Sequence, residues 1–441
     1  MSSSAHESPL RWAEIIAVGT ELLVPPRVDT NSLYITERLN DLGIEVRAKT
    51  VVADRREDLD AVLRAAMKRT ALVVLCGGLG PTDDDLTRDA VAQVLSRPLV
   101  EDAAVVDQIR QRFALRRARM PENNRRQALV PAGAAVLANT HGTAPGLWIE
   151  HDGGLVVLLP GPPNELMPMF DAVVRDRLSP RCGDMRVYRR VMRICGQAES
   201  DVDEAVSPVY ARWPSEALPV FTTVLTAPAQ VELHLSVRAA SDTLAATRLE
   251  ACASQLRVVL GADLFSQDGR TLEEVVGQLL LERKWRIAVA ESCTGGLISS
   301  RLTDVPGSSG YVALNAVCYS NDAKSEWLGV PAALLAEHGA VSESVAVAMA
   351  RGIRQLAAVD LGLGVTGIAG PTGGSDRKPV GTVMIAVATA TSEAVRTYRF
   401  PGDRARIKQF ASQMALDMAR RLMQDTPIGG AFVVTTRQVS R

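Results

Sequence analysis

Apolar positions along the first third of the chain fall in two rhythms. Short unbroken runs at 15–18, 72–75 and 155–159 read as strands buried on both faces. Leu33, Ile35, Leu39 and Leu42 instead recur at helical spacing, after Asp29-Thr30-Asn31 and before Gly43. Side chains able to cap at the start and a glycine at the end predict a helix there. Glu45–Val52 predicts a further strand and 57–68 a further helix. The order strand, helix, strand, helix, strand predicts a parallel α/β sheet.

The middle of the chain changes rhythm. Val231, Leu233, Leu235 and Val237 alternate with Glu232, His234, Ser236 and Arg238. A period of two marks a strand whose faces differ. A hairpin partner is expected at 220–225 and a helix at 241–260, ending at Gly261. From Thr271 the α/β rhythm returns. Thr271-Leu-Glu-Glu274 reads as a capping box opening a helix. Strands are expected at 286–290, 316–319, 361–366 and 382–389, with helices between them and a last helix at Arg404–Met423. The predicted fold class is α/β: two α/β domains, 1–180 and 267–441, joined by a small α+β module at 181–266.

Length and composition agree with that division. At 441 residues the chain suits about three domains. Hydrophobic residues are 47% and charged residues 22%, which argues against disorder. Aromatics are only 4%, so the cores must be aliphatic. Lys plus Arg is 49 against 50 for Asp plus Glu, so no basic excess points to a dedicated nucleic-acid binder. No apolar run approaches the length of a membrane-spanning helix. The opening MSSSAHESPLRW lacks the pattern of a secretory leader, and a cytoplasmic location is expected. Cys76, Cys182, Cys195, Cys252, Cys293 and Cys318 form no CxxC pair and read as reduced, buried thiols.

Candidate chemistry gathers at strand ends, where open α/β sheets bind ligands. After the strand at 286–290 comes Glu291-Ser292-Cys293-Thr294-Gly295-Gly296. Such a turn can present a nucleophile and supply oxyanion donors; Ser292 or Thr294 can equally be a helix cap. Next is Tyr319-Ser320-Asn321-Asp322-Ala323-Lys324. Lys324 is a solvated side chain, or, if desolvated beside Ser292, a neutral general base. The segment Thr366-Gly367-Ile368-Ala369-Gly370 opens a glycine-rich loop that either cradles a nucleotide or is a plain long turn. Arg404, in Phe400-Pro-Gly-Asp-Arg404, can grip a phosphate with two N–H groups. In the first domain, Gly77-Gly78-Leu79-Gly80 leads into Asp83-Asp84-Asp85. Three carboxylates there suit a divalent cation or simply an acidic helix start. Asp54 and Glu165 also follow strand ends.

Several of these segments resemble a known family. AESCTGGLISSRLTDVPGSS, YSNDAK, HGAVSESVA, TGIAGPTGGSDRKPVGTV and FPGDR resemble, in order and spacing, the C-terminal domain of the CinA family over residues 271 to 424. That resemblance implies a nicotinamide-nucleotide amidohydrolase, which turns nicotinamide mononucleotide into nicotinate mononucleotide and ammonia. It implies Ser292 as nucleophile, Lys324 as base and Tyr319 as an assisting hydroxyl. Substrate would lie against Thr294, Gly295, Gly296, Thr366, Gly367, Gly370 and Arg404, with no cofactor. Asn315-Ala316 depart from the family, which usually has two glycines there.

GTELL, DTN, GGLGPTDDDLT, PENNRRQA, HGTAPG and LPGPPNEL resemble the molybdopterin-binding-type domain that opens CinA proteins. That implies an ADP-ribose pyrophosphatase built on Gly77, Gly78, Gly80, Asp54 and Glu165. Its divalent metal, magnesium or cobalt, with potassium as a further candidate, would sit at Asp84 and Asp85. Val24-Pro25-Pro26-Arg27-Val28 departs from the family here, and two prolines stiffen that loop. Cys195 to Asp201 resembles the family's connecting module of KH-like topology and reads as a coupler rather than an RNA binder. The expected partners are small nucleotides, in a symmetric dimer, with no membrane. The competing readings are a molybdopterin-related binding protein and a non-enzymatic competence or damage-response scaffold.

Overall fold

The computed structural model describes residues 10–115, 117–429 and 433–439; the first nine residues of the stretch read above for a leader lie outside them. The chain divides into two compact units, Met1–Tyr188 with Arg238–Ala245, and Arg189–Val237 with Ala246–Arg441.

The first unit begins β1 (Trp12–Val18), α1 (Thr30–Asp41), β2 (Glu45–Val52), α2 (Arg56–Arg69), β3 (Leu72–Cys76) and α3 (Thr87–Val94). Asp29 caps α1 by accepting the Ser32 N–H at 2.9 Å, as the sequence predicts. Next come β4 (Leu99–Glu101), α4 (Ala103–Leu115) and β5 (Leu129–Pro131), then β6 (Ala135–Leu137), β7 (Gly146–His151), β8 (Gly154–Leu159) and α5 (Pro163–Val173). The main sheet runs β2-β1-β3-β8-β7-β6. Its first four strands are parallel as predicted. The short strands β7 and β6, which the pattern does not reveal, add an antiparallel edge. Ile15 of β1 packs with Ile35, Leu39 and Phe170 on one face. Ile16, its neighbour, packs with Leu59, Leu63 and Val91 on the other.

The middle stretch holds β9 (Arg186–Cys195), α6 (Glu199–Tyr210), β10 (Val220–Ala227), β11 (Gln230–Ala239), α7 (Asp242–Leu260) and β12 (Leu264–Ser266). They form a four-stranded sheet, β10-β11-β9-β12. The expected hairpin is present, with Val224 opposite Leu233. Most of this sheet falls in the second unit for a packing reason. Cys195 and Phe265 enter one hydrophobic cluster with Leu272, Phe410 and Met414.

The remainder comprises α8 (Leu272–Arg283), β13 (Ile287–Glu291), α9 (Leu297–Asp304), β14 (Val312–Val317), α10 (Asn321–Leu328), α11 (Ala332–His338) and α12 (Glu343–Ala357). It continues with β15 (Leu361–Gly367), β16 (Thr382–Ala388), β17 (Glu393–Arg399), α13 (Arg404–Met423) and β18 (Val433–Val439). The predicted capping box is made: Thr271 and Glu274 exchange bonds at the start of α8. The sheet order is β14-β13-β15-β16-β17-β18. Its first three strands are parallel and the others antiparallel.

Two sequence expectations need correction. No helix separates β15 from β16; the stretch 368–381 is a loop, because Gly370-Pro371 and Gly373-Gly374 break helical continuity. The strand expected at 316–319 ends at Val317, because Ser320 caps α10 by accepting the Ala323 N–H at 3.1 Å.

The two large sheets share one device. In each, the first strand of the α/β run lies between the next two, so the strand order reverses beside it. A crevice opens at the carboxyl end of such a strand. That end is Val18 in the first unit and Glu291 in the second. No helix among the described residues is long and apolar enough to cross a membrane.

Candidate active site

In the second unit Ser292 stands at the crevice, one residue past β13. Its N–H donates to Val365 O of β15 at 3.0 Å, and Cys318 N–H donates to Glu291 O at 2.8 Å. Both neighbouring strands therefore hold the turn. Lys324, on α10, brings Nζ to 3.1 Å from Ser292 Oγ. Ser292 is 8% exposed and Lys324 1%. Burial disfavours the ammonium and lowers the Lys324 pKa. Nζ also faces Cys318 O at 2.8 Å and Tyr319 O at 3.3 Å. Ser320 O stands at 3.5 Å. When neutral, the amine has two N–H donors for these carbonyls and one lone pair, which can then take the Ser292 hydroxyl proton.

Glu291, fully buried, shapes the turn from beneath. Its carboxylate accepts the N–H of Gly296 at 3.0 Å, of Ile298 at 3.2 Å and of Ser299 at 2.8 Å, and the Ser299 hydroxyl at 2.5 Å. The amino-terminal end of α9 thus already holds an anion. Gly295 N–H donates to Ser292 O at 3.1 Å. Of the three amides at 294–296, Thr294 alone lacks an acceptor among the described residues. Across the crevice, Arg404 donates to Gly370 O at 2.9 Å and to the Tyr319 hydroxyl at 2.8 Å. Tyr319 is 59% exposed, so its ring stands at the rim. Burial pushes the Cys293 thiol up to about 12, although Lys324 and Arg404 both pull it down.

In the first unit a cleft of about 360 Å³ lies at the corresponding crevice. Asp54, Asp84, Asp85, Glu165 and the Gly77–Gly80 backbone line it. Gly77 and Gly78 take φ of +101° and +64°. A Cβ on Gly77 would lie 2.1 Å from Val18 O, so only glycine fits the turn. Arg88, buried beneath, donates to Leu79 O at 2.7 Å and to Gly80 O at 3.2 Å. Asp85 accepts the Thr82 N–H at 2.9 Å and its hydroxyl at 2.5 Å. Asp54 accepts the Thr20 N–H at 2.7 Å and its hydroxyl at 2.9 Å. Glu165 accepts from the Asn139 amide at 2.7 Å, and Asp83 pairs with Arg126 at 2.6 Å.

Residues 269–423 match the CinA C-terminal domain, and residues 14–180 match the probable molybdopterin binding domain. A CinA-like protein of Koribacter versatilis is 47% identical over 413 residues, covering 93% of this chain and 99% of its own. The chain belongs to the CinA family. A putative competence-damage inducible protein of Caldicellulosiruptor bescii is 43% identical over 413 residues, 94% of this chain and 99% of that protein. The solved CinA of unknown function from Thermoplasma acidophilum is 32% identical at a TM-score of 0.36, covering 38% of this chain and 99% of that one.

Within this CinA-family chain, the residues singled out by sequence fall into three groups. Ser292, Lys324, Tyr319, Gly370 and Arg404 are linked by hydrogen bonds around one crevice. Thr366 is committed elsewhere: its hydroxyl donates to Ala340 O at 2.8 Å. Gly367 serves close strand pairing, since a Cβ there would lie 2.8 Å from Thr382 O. Thr294 is fully buried, so its amide rather than its hydroxyl is the available group. The plain helix-cap reading of Ser292 and Thr294 does not hold: Gly296 is the N-cap of α9, and Glu291 supplies the carboxylate. Asp85 and Thr87 likewise do not cap α3, whose N-cap is Leu86.

Sequence alone gives Glu291, Thr20 and Arg88 no role of their own. A charged residue beside a turn, such as Glu291 or Arg88, looks like any solvated one until its burial is known.

The metal that the family resemblance implies can be tested against the first cleft. Among the described residues no three or more His, Cys, Asp or Glu side chains gather closely enough to hold an ion. Asp84 and Asp85 line the cleft as a sparse carboxylate set. That fits magnesium, which binds through one or two carboxylates and completes its shell with water and substrate phosphates. It does not fit an all-protein cage.

Proposed function

We propose that the C-terminal crevice hydrolyses the carboxamide of nicotinamide mononucleotide to nicotinate mononucleotide and ammonia. The observation that carries this reading is the buried Lys324 amine, 3.1 Å from the Ser292 hydroxyl. Ser–Lys pairs are one form of the activated nucleophile. A solvated lysine would be charged and unable to accept the proton.

Ser292 Oγ attacks the amide carbon while Lys324 Nζ takes the hydroxyl proton. The carbonyl oxygen becomes an oxyanion within reach of the Thr294 N–H. Lys324 returns the proton to the departing nitrogen, and the C–N bond breaks to release ammonia. Water, deprotonated by Lys324, then attacks the nicotinoyl ester. The ester bond breaks, nicotinate mononucleotide leaves and Ser292 regains its proton. Tyr319, held by Arg404, sets the rim against which the pyridine ring lies. The buried pair also weighs against the scaffold reading, since a scaffold has no use for a desolvated lysine facing a hydroxyl.

Ammonia release from nicotinamide mononucleotide tests the proposal. Ser292→Ala should lose turnover by roughly 10³-fold or more. Near wild-type turnover in that variant would overturn it. A nicotinoyl adduct on Ser292, trapped and read by mass spectrometry, identifies nucleophile and substrate together.

A second activity is proposed for the N-terminal cleft: metal-dependent cleavage of ADP-ribose to AMP and ribose 5-phosphate. The carboxylates of Glu21, Asp54, Asp84, Asp85 and Glu165, lining a glycine-turned cleft, support it. A divalent cation at Asp84 and Asp85 would neutralise charge on the pyrophosphate. AMP formation should fall in Asp85→Asn, and equal output from both proteins would remove Asp85 from the site.

A further inference from the structure

The substrate of the proposed reaction carries a phosphate, and α9 has no room for it. Its amino-terminal N–H groups are held by Glu291, and a second anion beside that carboxylate is repelled. Positive charge must come from elsewhere, and α13 supplies it.

Arg404 and Lys408 are four residues apart on α13, so they share one face. Arg406 between them turns away, its guanidinium 5.7 Å from the centre of the Phe410 ring. Arg404 meets only neutral acceptors, Gly370 O and the Tyr319 hydroxyl. Lys408 is half-buried, yet it has no hydrogen bond or ion pair among the described residues. Its Nζ lies 3.5 Å from where a Cβ on Gly295 would stand, so the ammonium hangs over the nucleophile turn. The nearby carboxylate of Asp403 is engaged by the Arg406 N–H at 2.8 Å. Two cations with no ion-pair partner among the described residues therefore face one crevice. Both are free to make charge-assisted hydrogen bonds to an anionic ligand.

We propose that Lys408 is a substrate-recognition residue, which with Arg404 holds the phosphate of the nucleotide whose amide lies at Ser292. This rests on the amidohydrolase reading. Lys408 gives the site its preference for the nucleotide over the nucleoside: Arg404 grips the phosphate through its planar fork, and Lys408 adds a point charge on the nucleophile side.

The test titrates Ser292→Ala protein with nicotinamide mononucleotide and with nicotinamide riboside, which has the same amide but no phosphate. The mononucleotide should bind more tightly. Adding Lys408→Gln should narrow that gap roughly tenfold or more, the scale expected for a charged hydrogen bond. Lys408→Arg should restore it, which separates recognition from mere packing. An unchanged gap in Lys408→Gln overturns the proposal. Failure of the amidohydrolase reading shows differently: no ammonia from the wild-type chain and no binding of either compound. Inorganic phosphate then decides Lys408. Weaker binding in Lys408→Gln supports the anion site; unaltered or absent binding overturns it.

Discussion

Glu291 and Ser299 are joined twice: one carboxylate oxygen accepts both the Ser299 N–H at 2.8 Å and its hydroxyl at 2.5 Å. This clasp ties the end of β13 to the first turn of α9, and Ser292 sits on the segment it closes. Glu291→Gln should strain it, because the amide nitrogen of glutamine cannot accept from the donors that both carboxylate oxygens now satisfy. Leaving a buried donor unsatisfied costs about 1–3 kcal/mol. Denaturant midpoints should fall accordingly, and ammonia release should fall with them as the Ser292 turn loosens.

Lys324 sets the pH dependence. Burial lowers its pKa, so the neutral, proton-accepting form appears at lower pH than in an ordinary lysine, near 10.4. The value of kcat/KM for amide hydrolysis should rise with pH through that lowered value. Stability carries the same sign. Between the lowered folded pKa and the ordinary value the unfolded chain binds more protons, so stability rises with pH across that window. Lys324→Met should abolish both trends. Turnover measured from neutral to alkaline pH, beside urea unfolding over the same range, checks this. A pH profile unaltered in Lys324→Met would remove it as the base.

Asp417 supports the second unit from within α13. It accepts from Arg420 at 2.6 Å and from Arg421 at 2.6 Å, and Arg421 also reaches Asp263 at 2.6 Å. All three residues of α13 are almost wholly buried. Asp417→Asn leaves two buried guanidinium groups short of charge, which costs about 3–5 kcal/mol when a buried pair is broken. Chemical unfolding should show that loss; a midpoint within error of wild type would contradict the arrangement.

Arg88 holds the glycine turn of the first unit through Leu79 O and Gly80 O. Arg88→Met fills the space but leaves both carbonyls unpaired, at about 1–3 kcal/mol. Amide exchange at 77–85 should accelerate, and AMP formation should fall with it. Slow exchange retained in the variant would assign the loop's rigidity to other contacts.

Much of the scaffold was legible from pattern. The edges Glu45–Val52 and Arg404–Met423 fall where periodicity placed them, and Asp29 and Thr271 cap as their spacing predicts. These are local matters, decided by residues a few positions apart. What pattern missed are antiparallel strands that alternate too weakly to stand out. β6, only three residues long, is held by its neighbour β7, and β17 by β16 across a short turn. The loop at 368–381 replaced an expected helix because β16 returns antiparallel to β15.

The site divides along the same line. Sequence alone determined the residue types: a serine after a strand, a lysine at 324, glycines at the turns and an arginine before the last helix. It could not decide whether Lys324 was solvated or buried, because desolvation comes from what packs around a side chain. Only the tertiary structure brought Nζ within 3.1 Å of Ser292, across 32 positions, and placed the carbonyls of Cys318, Tyr319 and Ser320 around it. Only the tertiary structure showed that the anion at α9 is Glu291, and that Lys408 stands over Gly295 without an ion-pair partner among the described residues. Residue identity sets what chemistry is available. Burial and proximity, which depend on the whole chain, set the charge each group carries and which groups can meet.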